Sequence, residues 1–395
     1  MIRTLLSLTF IAIATMGTAW ACPECAEPVV VAQPAPALAQ PAPAPEKRTP
    51  KIQLAVLLDT SGSMNGLIDQ ARSQIWRVVN TFARAKQDGV APTLEVALFE
   101  YGNNGAPAEE GHVRQVVPLS TDLDKVSEKL FALTTNGGSE YCGTVIRKAV
   151  QGLQWSDHKD DYRAIFIAGN EPFTQGSVAY TEACKESIGK GIIVNTIHCG
   201  SEAAGIEGKW RDGALLADGS FTCIDHNAAI VHIASPYDEE IVKLGQDLNK
   251  TYIPWGKDGQ EAAKRQEVQD KNAAGAGQGA EVERANAKGG RHYRNDGWDL
   301  VDALENKTVK IEDVKPEDLP EELRKLSKEE LQKYVDKKKE ERAEMRKKLE
   351  ELNKKRDAHV AEERKKQAEK GEKTLDEAMV DTVKEQAARK NIKTE

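Results

Sequence analysis

An acid and two hydroxyl side chains alternate in the segment LLDTSGSM, directly after a run of apolar residues. The three are Asp59, Ser61 and Ser63. A carboxylate and two hydroxyls on one tight turn can direct three oxygens to one point, and oxygens are the ligands that Mg²⁺ and similar hard cations prefer. Gly62 lets the backbone turn without a Cβ clash. The pattern predicts a divalent-cation site; the alternative is that these side chains only cap the following helix.

The elements around this turn predict an α/β domain. Apolar, β-rich runs alternate with stretches of helical spacing, and strands separated by helices are typical of a doubly wound, mostly parallel sheet. In such sheets ligands bind at the carboxyl ends of the strands, which is where Asp59 lies. The predicted strands are residues 52–59, 93–102, 162–169, 191–200 and 219–225.

The motif LLDTSGSM after an apolar strand resembles the metal-ion-dependent adhesion site of the von Willebrand factor A-type (vWA) domain. The resemblance covers about residues 50–235. It implies a Rossmann-like doubly wound sheet with Mg²⁺ or Mn²⁺ on its upper rim, contacted by Asp59, Ser61 and Ser63.

Two later loops complete the site in that family, and this chain departs from the pattern in the second. The first loop supplies a hydroxyl after a Gly-Gly pair, and here TTNGGSEYCG offers Ser139 with Glu140 beside it. The second usually supplies an Asp, but here IAGNEP has Gly169, followed by Asn170 and Glu171. The resemblance therefore implies an incomplete metal site in which Glu140 or Glu171 compensates.

The N-terminus predicts export. Residues 1–21 have a positive start, an apolar stretch and a small-residue cleavage pattern, as in a signal peptide. Residues 22–49 are rich in Pro and Ala and predict an extended linker. We therefore expect a periplasmic or cell-surface protein with no transmembrane segment in the mature chain; a lipid anchor at Cys22 is an open alternative.

Cysteines in an exported protein favour disulfides. Cys199 and Cys223 fall on or near strands that should be neighbours, and we expect a bridge there. Cys142 and Cys184 are the remaining candidates for a pair.

The strand pattern ends before the last third of the chain. Residues 236–256 predict a helix added to the domain, and residues 257–305 predict a polar, partly flexible segment with the run NAAGAGQGA. Residues 306–395 predict a charged helical tail. Met345, Leu349 and Leu352 have heptad-like spacing, but Lys338 and Arg342 interrupt it, so we do not predict a coiled coil.

These features favour a binding protein. The net charge of −8 argues against nucleic acid as the partner, and no catalytic motif is evident, so we expect a non-enzymatic protein of the cell envelope. Its partner would present a carboxylate to the ion. The alternative is a structural scaffold with a vestigial metal site that self-associates through residues 306–395.

Overall fold

A computed structural model describes residues 48–228, 232–366 and 375–394. The predicted signal peptide, nearly all of the linker and Cys22 therefore lie outside the described residues. The strands are β1 (Lys51–Asp59), β2 (Lys86–Gln87), β3 (Thr93–Tyr101), β4 (Val113–Ser120), β5 (Tyr162–Gly169), β6 (Ile193–Cys199), β7 (Phe221–Ile224) and β8 (Ile392–Lys393). The helices are α1 (Asn65–Asn80), α2 (Leu123–Phe131), α3 (Cys142–Gly152), α4 (Tyr180–Gly189), α5 (Glu202–Glu207), α6 (Trp210–Leu216), α7 (Asp238–Leu248), α8 (Gly259–Gly275), α9 (Gln278–Gly289), α10 (Leu300–Glu305), α11 (Lys328–Lys366) and α12 (Leu375–Arg389).

The central sheet has the strand order β4-β3-β1-β5-β6-β7. All neighbouring strands are parallel except the antiparallel pair β3–β4. The order reverses at β1, so the predicted doubly wound sheet is confirmed. The register sets Asp59 beside Tyr101 and Leu58 beside Ala168, which brings the carboxyl ends of β1, β3 and β5 together.

Strand β4 was not predicted. It forms the edge of the sheet and contains Pro118, and much of it is exposed. An edge strand carries a weaker apolar signal than a buried one and tolerates proline.

Helices cover both faces of the sheet. On one face the core is formed by apolar side chains of the strands with those of α1, α2 and α12. On the other face α3, α4 and α6 supply the partners, including the fully buried Trp210. Both faces of β1 and β5 are therefore buried, which explains the near-continuous apolar runs of these strands.

Residues 257–305 differ from the predicted flexible segment. They contain α8 and α9, which form a helical hairpin. The run NAAGAGQGA covers the end of α8, the turn at residues 276–277 and the start of α9, with Gly277 at φ +116°. Arg284 of α9 is buried and bridges Asp124 of α2 and Asp270 of α8, at 2.6 and 2.8 Å. Buried ion pairs therefore attach the hairpin to the domain that contains the central sheet. The polar composition of the segment does not reveal these pairs.

Helix α11 buries an unbroken seam at spacings of three and four residues. Arg342 occupies a core position in it and donates to Asp299 and Asp302, each at 2.7 Å. Its guanidinium also lies 4.1 Å from the centre of the Tyr252 ring. The seam therefore packs on the chain's own helices. Its members are Leu331, Val335, Lys338, Arg342, Met345, Leu349, Leu352 and Arg356.

The end of the chain returns to the sheet. Helix α12 packs against α1 and the strands β6 and β7, and β8 pairs with β2. Gln386, 1 % exposed, exchanges two hydrogen bonds with Asn195 of β6 and accepts one from Tyr162 of β5. The described residues consequently form a single compact unit, and the described parts of the predicted tail belong to it. Among the described residues, no helix is long and apolar enough to cross a membrane.

Candidate metal centre

The Asp-x-Ser-x-Ser turn joins β1 to α1 at the carboxyl edge of the sheet. Backbone hydrogen bonds hold it to two neighbouring loops: Thr60 donates to Tyr101 at 2.9 Å, and Gly62 donates to Gly137 at 2.8 Å. The two neighbouring loops therefore hold the backbone of the turn on both sides without the help of a ligand.

The oxygens of this turn lie together. The Asp59 carboxylate accepts through Oδ1 from the Ser61 amide at 2.8 Å, and the Oγ atoms of Ser61 and Ser63 are 3.5 Å apart. Asp59 and Ser61 are 0 % and 2 % exposed, whereas Ser63 faces solvent. The predicted three-oxygen group is thus formed, with its buried end at Asp59.

The capping alternative is wrong. Helix α1 begins at Asn65, its N-cap residue is Met64, and no side-chain hydrogen bond caps it. The Asp59 carboxylate accepts from an amide inside the turn, not from the first turn of the helix. The side chains of the turn are therefore directed toward one another and not toward the helix end.

Asp59 keeps one oxygen without a partner. Its Oδ2 is buried and accepts no hydrogen bond from the described residues. Burial raises the pKa of Asp59 to about 7, and the negative charge of Glu140 adds to the rise. A buried carboxylate with a free oxygen beside two hydroxyls fits a divalent cation, which would stabilise its charged form.

Glu140 turns toward Asp59. Glu140 is 6 % exposed, while Ser139 stays partly exposed. Two glycines make room for it: a Cβ on Gly138 would lie 2.8 Å from Glu140 Oε1, and one on Gly102 would lie 3.0 Å from both Glu140 Cγ and Asp59 Oδ1. Burial raises the pKa of Glu140, and repulsion by Glu171 adds to this.

Gly169 stands where the vWA pattern usually has an acid, and the structure explains why. The Tyr101 hydroxyl, which donates to the Ala168 carbonyl at 2.9 Å, occupies the space into which a Cβ on residue 169 would project. The Asp59 carboxylate closes the other side, since its Oδ2 would be 3.0 Å from that Cβ. No side chain fits at position 169 while Tyr101 keeps its place.

Asn170 is a site residue that the sequence analysis did not assign. Its Nδ2 donates to Ser63 Oγ at 3.4 Å, and its Oδ1 is buried without a hydrogen-bond partner among the described residues. The signal was available, because Asn170 directly follows the end of β5. Glu171, which was predicted instead, accepts a hydrogen bond from Gln175 at 3.2 Å and influences the site through its charge.

Carboxylates alone do not make this site. Within the part of the chain that the structure describes, no group of three or more His, Cys, Asp or Glu side chains could hold a metal. An ion here would need the hydroxyl oxygens of Ser61 and Ser63 together with Asp59. Such a mixed oxygen set suits Mg²⁺ or Mn²⁺ better than softer metals.

The structure does not show the predicted disulfides. Cys142, Cys184 and Cys199 are free thiols. Cys199 lies opposite Ile224 in the β6–β7 register, one position from Cys223, and Cys142 Sγ contacts the Tyr101 hydroxyl at 4.0 Å. Burial raises the pKa of the Cys142 and Cys199 thiols well above the usual value. These two cysteines are buried and pack close to the site.

Comparison with known proteins gives structural similarity only. Neither the scan against protein-family models nor the search of curated proteins found a match. The chain is similar to the conserved hypothetical protein BatB from Bacteroides thetaiotaomicron (16 % identity, 44 % of this chain and 90 % of that one, TM-score 0.34). It is also similar to the SpRpn10 VWA domain (16 % identity, 46 % and 100 %, TM-score 0.34) and to the pilus adhesin SpaC from Lactobacillus rhamnosus GG (13 % identity, 45 % and 28 %, TM-score 0.33).

The chain contains a doubly wound α/β domain, and its architecture agrees with the one that the vWA resemblance implied. The doubly wound order around β1 and the strand-end turn carrying Asp59, Ser61 and Ser63 are the features that the resemblance implied. The charged helices that follow are an extension of that domain.

Proposed function

We propose that this chain is an exported, non-enzymatic interaction protein whose vWA-type domain binds a carboxylate of a protein partner through a divalent cation. The cation, Mg²⁺ or Mn²⁺, would be held by Asp59, Ser61 and Ser63, with Glu140 and Asn170 beside it. When bound, it supplies a Lewis-acidic centre that attracts an acidic side chain of the partner.

The observation that carries this proposal is the unpartnered Oδ2 of Asp59. A carboxylate that is 0 % exposed is costly to ionise unless a positive charge compensates it. The groups that act on it are the backbone amides of Ser61 and Asn170, the Ser61 hydroxyl and the Glu140 acid, and none of them carries a positive charge. A bound cation would compensate the negative charge of Asp59 without moving these groups.

The residues of the turn have distinct parts in this function. Asp59 is buried and supplies the negative charge, Ser61 is a buried hydroxyl ligand, and Ser63 is exposed where a partner would approach. Asn170 orients Ser63 through its hydrogen bond. Two neutral hydroxyls leave an ion electron-poor, and this favours a further anionic ligand from outside.

The remaining parts of the proposal concern location. The predicted signal peptide and Pro/Ala-rich linker would place the domain in the periplasm or at the cell surface, with a lipid anchor at Cys22 as the alternative form of attachment.

Self-association through residues 306–395 has weaker support, because the apolar side chains of α11 and α12 are buried against the chain itself.

The test uses immobilised peptides that carry a single Glu or Asp, with matched Gln or Asn peptides. We expect the purified protein to be retained by the acidic peptides in Mg²⁺ and released by EDTA, and Asp59→Ala to be retained by neither. Asp69→Ala is the control, because Asp69 is exposed on α1 of the same domain. Equal retention of wild type and Asp59→Ala would contradict the proposal.

A further inference from the structure

We infer that Glu140 is an internal competitor for the partner's carboxylate: it strengthens ion binding at Asp59, Ser61 and Ser63 while weakening the ion's attraction for an outside acid. The inference rests on the proposed function and names the residue that regulates that site. In the vWA pattern a hydroxyl of this loop completes the site. In this chain the acid Glu140 of the same loop is turned inward.

The position of Glu140 is built into the fold. The loop before α3 runs through Gly137 and Gly138, and the Gly137 carbonyl receives the Gly62 amide of the metal turn at 2.8 Å. Glu140 follows two residues later, and its carboxylate lies against Gly138 while its Cγ lies against Gly102. A Cβ on either glycine would lie so close to Glu140 that the Glu140 side chain would have to move.

Glu140 and Asp59 flank the same point. The atoms that a Cβ on Gly102 would meet at 3.0 Å are Asp59 Oδ1 and Glu140 Cγ, with the Ser61 Cβ at 3.6 Å. Asp59, Glu140 and Ser61 thus pack closely around Gly102, so that Glu140 lies beside the metal turn. The unpartnered Oδ2 of Asp59 is the second observation that points to a cation in this region.

The charges explain the competition. Asp59 and Glu140 together carry two negative charges, which equal the charge of one divalent cation. An ion balanced by both attracts an external carboxylate weakly, whereas an ion balanced by Asp59 alone keeps a net positive charge. Glu171 adds a third negative charge nearby.

Three variants separate these effects in the full protein. Glu140→Gln removes the charge and keeps the shape. Gly138→Ala keeps the charge but places a methyl group 2.8 Å from the Glu140 Oε1 position, so that the flexible carboxylate must move. Asp69→Asn removes an exposed charge on α1 that has no part in the site, and it is the matched control.

Two measurements are made with defined probes. Mn²⁺ affinity is measured by calorimetric titration, and acetate binding to the Mn²⁺-loaded protein is measured from the paramagnetic relaxation of the acetate protons. We expect Glu140→Gln to lower Mn²⁺ affinity by at least about tenfold and to raise acetate affinity by a similar factor. Gly138→Ala should change both in the same direction, and Asp69→Asn should change each by less than about threefold.

The outcomes are distinguishable. If wild type and Glu140→Gln bind Mn²⁺ equally well, Glu140 does not contribute to the ion site and the inference is wrong, while the proposed function stands. If Glu140→Gln weakens Mn²⁺ without strengthening acetate, the competition is wrong. If wild type binds no Mn²⁺, both the inference and the proposed function fail. Should Glu140→Gln lose its near-ultraviolet circular dichroism, Gly138→Ala decides between these outcomes.

Discussion

The hydroxyl of Tyr101 fills the space into which a side chain on Gly169 would project. Tyr101 lies at the end of β3 and pairs with Asp59, while Gly169 ends β5 on the other side of β1. The missing acid of the vWA pattern is therefore a consequence of packing between two neighbouring strands. A tyrosine hydroxyl bonded to the Ala168 carbonyl lies where the Cβ of that acid would have to be.

This relationship predicts a coupling between the two positions. Gly169→Ala should lower the free energy of unfolding by about 1–3 kcal/mol, because the added methyl group overpacks the strand ends. In a Tyr101→Phe background the same change should cost less, since the hydroxyl that it would meet is absent. Urea denaturation of the two single variants and the double variant measures the coupling.

The control for this prediction is Gly189→Ala. A Cβ on Gly189 would meet no atom within 4 Å, so this variant should be neutral or slightly stabilising. Purely additive effects of the Gly169 and Tyr101 substitutions would show that the hydroxyl does not exclude a side chain at position 169.

Asp59 predicts a pH dependence of the metal-free protein. Its pKa is raised from 3.8 to about 7 in the folded state, so the unfolded chain ionises first as the pH rises. The stability associated with the protonated acid is complete below about pH 4 and is lost as the pH rises toward 7. In EDTA, the wild type should therefore lose stability relative to Asp59→Asn across this window, by at most about 1.4 kcal/mol per pH unit.

Urea denaturation of both proteins at several pH values between 4.5 and 8 measures this difference, and the shared contribution of other groups cancels. Adding Mn²⁺ at the upper end should restore stability to the wild type alone, because the ion binds the ionised form. A difference between the two proteins that stays constant with pH would show that Asp59 ionises normally.

Helix α12 is predicted to be essential for the stability of the α/β domain. Val383 is 0 % exposed against the sheet, and Val383→Ala should cost about 2 kcal/mol through lost burial and the cavity left behind. The adjacent Lys384 is exposed, and Lys384→Ala should change stability by less than about 0.5 kcal/mol. Equal, small effects of both substitutions on urea denaturation would mean that α12 does not contribute to the core.

The buried Arg342 gives a prediction for the helical extension. Arg342→Met should destabilise the protein by about 3–5 kcal/mol, because it leaves Asp299 and Asp302 buried without their counter-ion. Adding Asp299→Asn and Asp302→Asn should recover part of this loss. Lys347→Met, on the exposed side of α11, is the matched control in thermal unfolding. An Arg342→Met protein as stable as this control would contradict the ionic anchor.

The predictable part of the fold depended on local patterns. Strand β1 and the turn after it are continuous in sequence, and their apolar run and alternating oxygens carry the information themselves. The same holds for the other buried strands, whose two covered faces make them apolar throughout. The edge strand β4 lacked that signal.

The remaining part depended on contacts between distant residues. The place of Glu140 depends on Gly102 in another loop, and the absence of a side chain at position 169 depends on Tyr101. Arg342 interrupts an apolar seam in the sequence, yet it fills a core position because Asp299 and Asp302 neutralise it. The spacing of residues along one element does not reveal partners that lie on other elements.

The central claim is that the turn at Asp59 binds a divalent cation, and calorimetric titration of Mn²⁺ into wild type and Asp59→Asn tests it most directly. We predict a single saturable site in the wild type that is absent from Asp59→Asn, with both proteins equally folded by circular dichroism. Identical titrations for the two proteins, or no binding heat and no shift of the melting temperature in the wild type at excess Mn²⁺, would contradict the account.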